Sequence, residues 1–242
     1  DRLKNGTVAF EGGKEIVKTE SQLSYQGQSD RVVYNTLVTN KGKIMSLTLP
    51  DSTKVFLNAE SSIRYSTKFA GKERVVEVTG EVDFVVAKNA ARPFKVRAQV
   101  SSGQEVEVEV LGTHFNVSAY DNEPTLQTTL LEGRVRIFES TKNSSEVLTP
   151  GQQARIDKNG DLEVFNDVDT ASIIAWKERK FFYFKNEDIK TIMRQLARWY
   201  DISVKYEGDL EKRTFTGQMN RNWKLSKVLD VLKNEKVHFD IN

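Results

Sequence analysis

The chain has 242 residues, no cysteine and 2 histidines, with 36 basic residues against 34 acidic ones for a net charge of +2. That composition excludes disulfide scaffolds, zinc fingers, iron–sulfur centres and thiol chemistry, and it disfavours a strongly basic nucleic-acid binder or an acidic disordered tail. No stretch approaches the roughly 18–20 apolar residues of a membrane span, and no basic head with an apolar signal core opens the sequence.

All 4 prolines fall before residue 151, and between the turn residues lie short runs rich in Val, Thr, Ile, Phe and Leu. Gly6-Thr7-Val8-Ala9-Phe10 faintly echoes Ser52-Thr53-Lys54-Val55-Phe56, too briefly to define a repeat. Ile44–Leu49, Lys54–Leu57 and Val75–Val78 alternate with period two. In Glu105–Val110 the valines fall on one face and the glutamates on the other. Arg134–Ile137 and Ala154–Asp157 follow the same rule. Strands this short, about 8–12 residues apart, predict an all-β sandwich, a barrel or a solenoid-like stack.

After about Asp169 the texture changes. Ile189, Ile192, Met193, Leu196 and Tyr200 recur at helical spacing, with Asn186 as the expected N-cap. Leu225, Val228, Leu229 and Leu232 mark a second helix. Expected strands are Phe181–Phe184, Ile202–Tyr206, Thr214–Gln218 and Val237–Ile241. The order is β-α-β-β-α-β, a split βαβ unit. The fold class is therefore mainly β: an all-β part over residues 1–168 and a small α+β part over residues 173–242. From Ile173 onward there are 15 basic and 10 acidic residues, net +5, which leaves net −3 for the rest. Complementary potentials of that kind can orient two domains or a partner.

Several compact phrases recur in order: Leu49-Pro50-Asp51-Ser52-Thr53-Lys54-Val55-Phe56-Leu57-Asn58-Ala59, Arg74 to Phe84 with a break at Gly80, Arg92-Pro93-Phe94-Lys95-Val96, Val110-Leu111-Gly112-Thr113-His114-Phe115-Asn116-Val117, Leu131-Glu132-Gly133-Arg134-Val135 and Leu148-Thr149-Pro150-Gly151-Gln152-Gln153-Ala154. Each alone is hairpin chemistry. Together, over residues 35–160, they resemble the periplasmic region of FecR-type anti-sigma factors. Ala175-Trp176-Lys177, Phe182-Tyr183-Phe184-Lys185-Asn186, Arg198-Trp199-Tyr200-Asp201 and Phe215-Thr216-Gly217 resemble the domain that follows in Bacteroidetes members. That domain is similar to the short signalling domain of secretins and TonB-dependent transducers. Ser52 stands where the family usually has Gly, and Val82 where it usually has Ala.

The resemblance implies a periplasmic sensor of a single-pass inner-membrane protein, with its membrane span and cytoplasmic segment expected before Asp1. It implies two partners, the signalling domain of an outer-membrane TonB-dependent transporter and, through the cytoplasmic segment, a sigma factor. No catalytic residue, metal or cofactor is expected. Glu81 and Asp83 adjoin each other in one strand, whereas a glycosidase pair straddles a cleft. His114 sits in a strand and reads as structural; His238 reads as solvent- or edge-facing. The mixture of Arg194, Arg198, Trp199, Tyr200, Arg221 and Trp223 fits a core or a protein interface better than nucleic acid. Candidate partner-binding residues are Trp199, Tyr200, Arg221, Trp223, Val237, Phe239 and Ile241, with docking through an open strand edge at Thr214–Gln218 or Val237–Ile241. The alternative is a carbohydrate-binding or scaffold module without catalysis, which aromatic platforms on an exposed β face would favour.

Overall fold

The computed structural model describes residues 6–11, 14–19, 22–26, 32–99, 103–178, 180–207 and 213–240. The strands are β1 (Gly6–Glu11), β2 (Lys14–Thr19), β3 (Gln22–Gln26), β4 (Tyr34–Val38), β5 (Met45–Thr48), β6 (Lys54–Leu57), β7 (Ser62–Ser66), β8 (Arg74–Val85), β9 (Phe94–Gln99), β10 (Glu105–Val110), β11 (His114–Ala119), β12 (Thr125–Glu132), β13 (Val135–Glu139), β14 (Ser144–Leu148), β15 (Gln153–Asp157) and β16 (Leu162–Phe165). Two single-turn helices, α1 (Thr170–Ile173) and α2 (Ala175–Glu178), lead to β17 (Phe181–Asp188), α3 (Ile189–Tyr200), β18 (Thr214–Asn220) and α4 (Leu225–Asn234).

The β part is one sheet folded over into two layers that share β8. Residues 74–78 of β8 pair with β9, and residues 80–85 pair with β11 in the other layer. The order β1-β2-β3-β5-β6-β8-β11-β12-β15-β16 runs through one layer; β4, β7, β9, β10, β13 and β14 complete the other. Of the architectures the sequence left open, this is the sandwich. Phe84 stacks on Phe115 at 5.2 Å and tilts against Phe94 at 5.9 Å, all three fully buried between the layers. The Glu105–Val110 pattern is borne out. Val106, Val108 and Val110 are buried, while Lys95 of β9 reaches Glu107 at 2.9 Å and Glu109 at 3.5 Å. Such partly exposed pairs contribute about 0–1 kcal/mol each, so the valines carry most of the strand's stabilisation.

The β5–β6 hairpin explains the departure at Ser52. The Ser52 N–H donates to the Leu49 carbonyl at 2.9 Å, and Ser52 itself is left-handed at φ 71°. That is a turn with Pro50 and Asp51 at its centre, followed by a residue that must adopt positive φ. Glycine takes that conformation freely and serine does not. Ser52→Gly is therefore expected to raise stability by about 0.5–1 kcal/mol, read as a shift of the urea midpoint at constant slope.

The C-terminal part packs a second apolar cluster: Phe182, Phe184, Ile192, Leu196, Met219, Val228, Leu229 and Leu232. β17 and β18 pair antiparallel, with an irregularity between Phe184 and Glu187. Asn186 sits at that irregularity with φ 55° and does not cap the helix. Asp188 does, accepting from the Thr191 N–H at 3.0 Å, because the ladder continues to Asp188↔Thr214.

Two of the four expected C-terminal strands form this sheet. Ile202–Tyr206 pairs with no strand among the described residues; its alternation reflects half-buried Ile202 and Val204 packing side chains without pairing backbone. Val237–Asp240 likewise has no ladder, and Ile241 lies outside the described residues. Lys236 is left-handed at φ 60°, and the Val237 N–H donates to the Leu232 carbonyl at 3.0 Å. That is a helix stop whose apolar follower, Val237, folds back on the core of α4.

Candidate functional site: an open sheet edge beside a polar joint

β18 pairs only with β17 among the described residues, so its other edge carries free backbone groups. The Arg221 N–H donates to the Lys180 carbonyl at 2.9 Å, which makes 180 and 221 a hydrogen-bonded pair. Alternation then turns Met219 and Gly217 inward to Phe182 and Phe184, and the N–H groups of Gln218 and Asn220 outward. Residues 216–218 are exposed, whereas Met219 and Arg221 are buried. The open stretch therefore ends where the strand meets the β part.

That meeting point is a joint built from charges. α3 presents Arg194 and Arg198 to the turn after β11. The Arg198 guanidinium donates to Asn122 Oδ1 at 2.9 Å and Glu123 Oε1 at 2.7 Å; Arg194 Nε donates to Glu123 Oε2 at 2.7 Å. Arg198 also lies 4.0 Å over the Tyr120 ring, whose hydroxyl donates to the Ala59 carbonyl at 2.7 Å. On the other side of α3's end, the Gly42 N–H donates to the Arg198 carbonyl at 3.0 Å, and Lys41 pairs with Asp201 at 3.0 Å. A Cβ on Gly42 would stand 2.6 Å from the Trp199 carbonyl oxygen, so the loop can approach this closely only with glycine.

Arg221, at the end of β18, crosses the joint. Its Nη1 donates to Asn58 Oδ1 at 2.8 Å, and Asn58 Nδ2 donates to Glu81 at 2.6 Å. Asn116 completes the shell around Glu81 at 3.4 Å. Burial pushes the Glu81 carboxyl pKa up, opposed by Asn58 and by the nearby arginines. Burial also lowers the Arg221 pKa to about 10, which leaves it charged at neutral pH. Among the described residues, Nε of Arg221 is buried without a hydrogen-bond partner. The joint residues Glu123, Arg194, Arg198 and Arg221 also line a cavity of about 630 Å³, which extends to Gln127, Arg155, Phe165, Tyr183 and Gln195.

The predicted partner-binding residues fall into distinct places. Trp199 Nε1 donates to the Arg221 carbonyl at 2.8 Å, and the Arg221 guanidinium stacks on Phe182 and Trp199 at 4.6 and 4.8 Å. The Tyr200 hydroxyl donates to the Trp223 carbonyl at 2.8 Å, and Trp223 carries Lys227 over its ring at 3.9 Å. These four residues tie α3 to the end of β18. Val237 packs half-buried on the second cluster, and Phe239 is exposed.

Glu81 and Asp83 are both engaged in hydrogen bonds. Asp83 is fully buried, held by Lys177 of α2 at 2.6 Å and by His114 Nε2 at 3.1 Å. Asp83 is thus a second anchor, tying the segment between the two parts to β8. His238 is exposed. Sequence reasoning missed Glu123, Asn122, Gly42 and Asn58. The only local signal was the turn-forming Asn40-Lys41-Gly42; nothing in the sequence links these positions to α3 across more than 70 residues.

The comparisons with known proteins agree with one another. Residues 35–136 match the family described as FecR protein, and residues 181–242 match FecR, C-terminal. A candidate anti-sigma factor from Parabacteroides distasonis ATCC 8503, solved at 1.65 Å, shares 29% identity and a TM-score of 0.74. That match covers 83% of this chain and 91% of the other. A second structure of such a factor from the same organism, at 2.50 Å, matches with the same score and identity over 84% of this chain and 92% of that one. No curated protein matches. With a FecR domain followed in order by a FecR C-terminal domain, and a like-folded anti-sigma neighbour over most of its length, the chain belongs to the FecR-type anti-sigma factor family.

Proposed function

We propose that this chain is the periplasmic sensor region of a single-pass inner-membrane anti-sigma factor. In this reading a β domain (residues 1–168) carries a signalling domain (residues 173–242). The signalling domain of an outer-membrane TonB-dependent transporter docks on the open edge of β18. The signal passes through a membrane span and cytoplasmic segment upstream of Asp1 to an extracytoplasmic-function sigma factor. No bond-making chemistry and no cofactor is required.

The observation that carries this reading is the β18 edge that no other described strand pairs, with the N–H groups of Gln218 and Asn220 turned away from β17. An extended segment of another protein can add a strand there, main-chain bonds supplying affinity and side-chain pockets specificity. Trp199, Tyr200 and Arg221 brace the end of that strand, and the Trp223 N–H, just past it, donates to the Asn220 carbonyl at 3.0 Å. Gln218→Pro removes one outward donor and leaves the inward ladder intact. It is expected to weaken binding of the transporter signalling domain at least tenfold by calorimetry, without lowering the thermal midpoint. Equal affinity for variant and wild type would count against edge docking.

The carbohydrate reading draws on Tyr183 and Phe165, both partly exposed on the cavity wall. It is the weaker one, because Arg155 already lies 4.2 Å over the Phe165 ring. Saturation-transfer NMR with oligosaccharides, reading the Tyr183 ring protons, discriminates the two.

A further inference from the structure

The joint between the two parts has the make-up of a latch. The apolar clusters on either side do not merge: one gathers residues between Leu47 and Ile156, the other residues between Phe182 and Leu232. Between them, α3 and the end of β18 are held by the Glu123 pairs, by Arg221 on Asn58 and by Gly42 on Arg198. Polar contacts of this kind cost desolvation when made and regain water when broken. They therefore hold a position without holding it irreversibly. Arg221 is not fully satisfied at the joint: Nη1 bonds Asn58, while Nε has no partner among the described residues.

We infer that this joint is a latch whose opening is coupled to partner docking, with Arg221 as the coupling residue. The inference rests on the reading of β18 as the docking edge. Arg221 follows directly on β18, and its backbone N–H is the last rung to Lys180. In the closed form the strand is exposed over residues 216–218. It then runs into half-buried Asn220 and buried Arg221 against the β part. Releasing Arg221 from Asn58 extends the edge by the outward donor of Asn220. A partner strand therefore binds the open form more tightly than the closed one. By linkage, docking shifts the chain toward the open form to the same extent. Whatever weakens the latch removes part of the conformational cost of docking and raises affinity.

The experiment uses the whole 242-residue chain, which has no cysteine to interfere with labelling. Spin labels are placed on cysteines at exposed Lys158 and Lys233, one in each part, and their separation is measured by pulsed electron resonance. Wild type is expected to give one narrow distance, which moves to a second, longer one when the transporter signalling domain is added. Glu123→Ala, which removes the carboxylate both arginines share and leaves Arg198 only Asn122 and the Tyr120 ring across the joint, is expected to populate the second distance without partner and to bind the signalling domain at least tenfold more tightly. Glu123→Gln, which keeps the acceptor and loses the charge, should fall between. Far-ultraviolet circular dichroism and two unchanged apolar cores by NMR establish that each variant is folded; should Glu123→Ala fail, Gly42→Ala attacks the same joint from the other side. An unchanged distance on docking, or equal affinity in latch-broken and wild-type chains, overturns the coupling. If the signalling domain binds neither form, edge docking falls by itself. The latch is then judged on distance alone, standing if Glu123→Ala opens the joint and falling if it does not.

Discussion

Asp51→Ala is expected to cost the β domain about 3–5 kcal/mol, enough to unfold much of it at physiological temperature. Asp51 sits in the β5–β6 turn, where it accepts from the Thr53 N–H at 3.0 Å and from the Thr53 hydroxyl at 2.8 Å. Its other duty is remote. Arg74, only 1% exposed, donates through Nη1 to Asp51 at 2.6 Å. The same guanidinium donates to the carbonyls of Ala87 and Arg92, both at 2.9 Å, and lies 5.4 Å over the Phe94 ring. Removing Asp51 leaves that cation buried without its counter-charge, and the desolvation already incurred is no longer offset. Asp51→Asn, which keeps hydrogen bonds, should lose less. Adding Arg74→Met to Asp51→Ala should restore most of the loss, because the stranded charge is then gone. Equilibrium denaturation of the single and double variants checks this; a loss below about 1 kcal/mol for Asp51→Ala would show that the pair is not coupled as described.

Gly80→Ala is expected to destabilise the chain by about 3 kcal/mol or more, from positive-φ strain added to overpacking. Gly80, at φ 75°, is where β8 leaves one layer for the other. A Cβ there would stand 2.6 Å from the Glu60 carbonyl oxygen and 2.7 Å from the Ser61 Cα. Neither backbone atom can swing aside as a flexible side chain would. The displaced segment follows Asn58, so the same substitution should also loosen Arg221. In denaturation it should lower the midpoint, and in amide exchange it should deprotect residues 58–62 before the rest of the β domain. Full stability in Gly80→Ala would mean that the sheet turns elsewhere.

The two layers were legible in the sequence wherever a strand had one wet face. Glu105–Val110 reads its own burial directly, and Gly80 announces a break between two apolar runs. Strands with both faces covered gave a weaker signal: β12 buries Leu126, Thr128, Thr129 and Leu130 in near succession, which period-two reading does not capture. In the C-terminal part, Ile202 and Val204 alternate as a strand would while pairing no backbone, since side-chain periodicity reports packing and not hydrogen bonding. Ser52 showed the reverse. Its oddity against the family pattern pointed to a positive-φ turn position that local sequence alone does not fix. The joint was opaque for a different reason. Glu123 and Arg198 are ordinary surface residue types, and only the fold brings them to 2.7 Å.

The most direct measurement is amide hydrogen exchange of the chain alone and saturated with the transporter signalling domain. Docking along β18 predicts that the Gln218 amide, solvent-facing in the free chain, becomes strongly protected on binding, while amides on the far layer of the sandwich exchange as before. Binding that leaves Gln218 exchanging at its free rate, with protection appearing instead around Gln127 and Tyr183, would contradict strand addition and place the contact in the cavity.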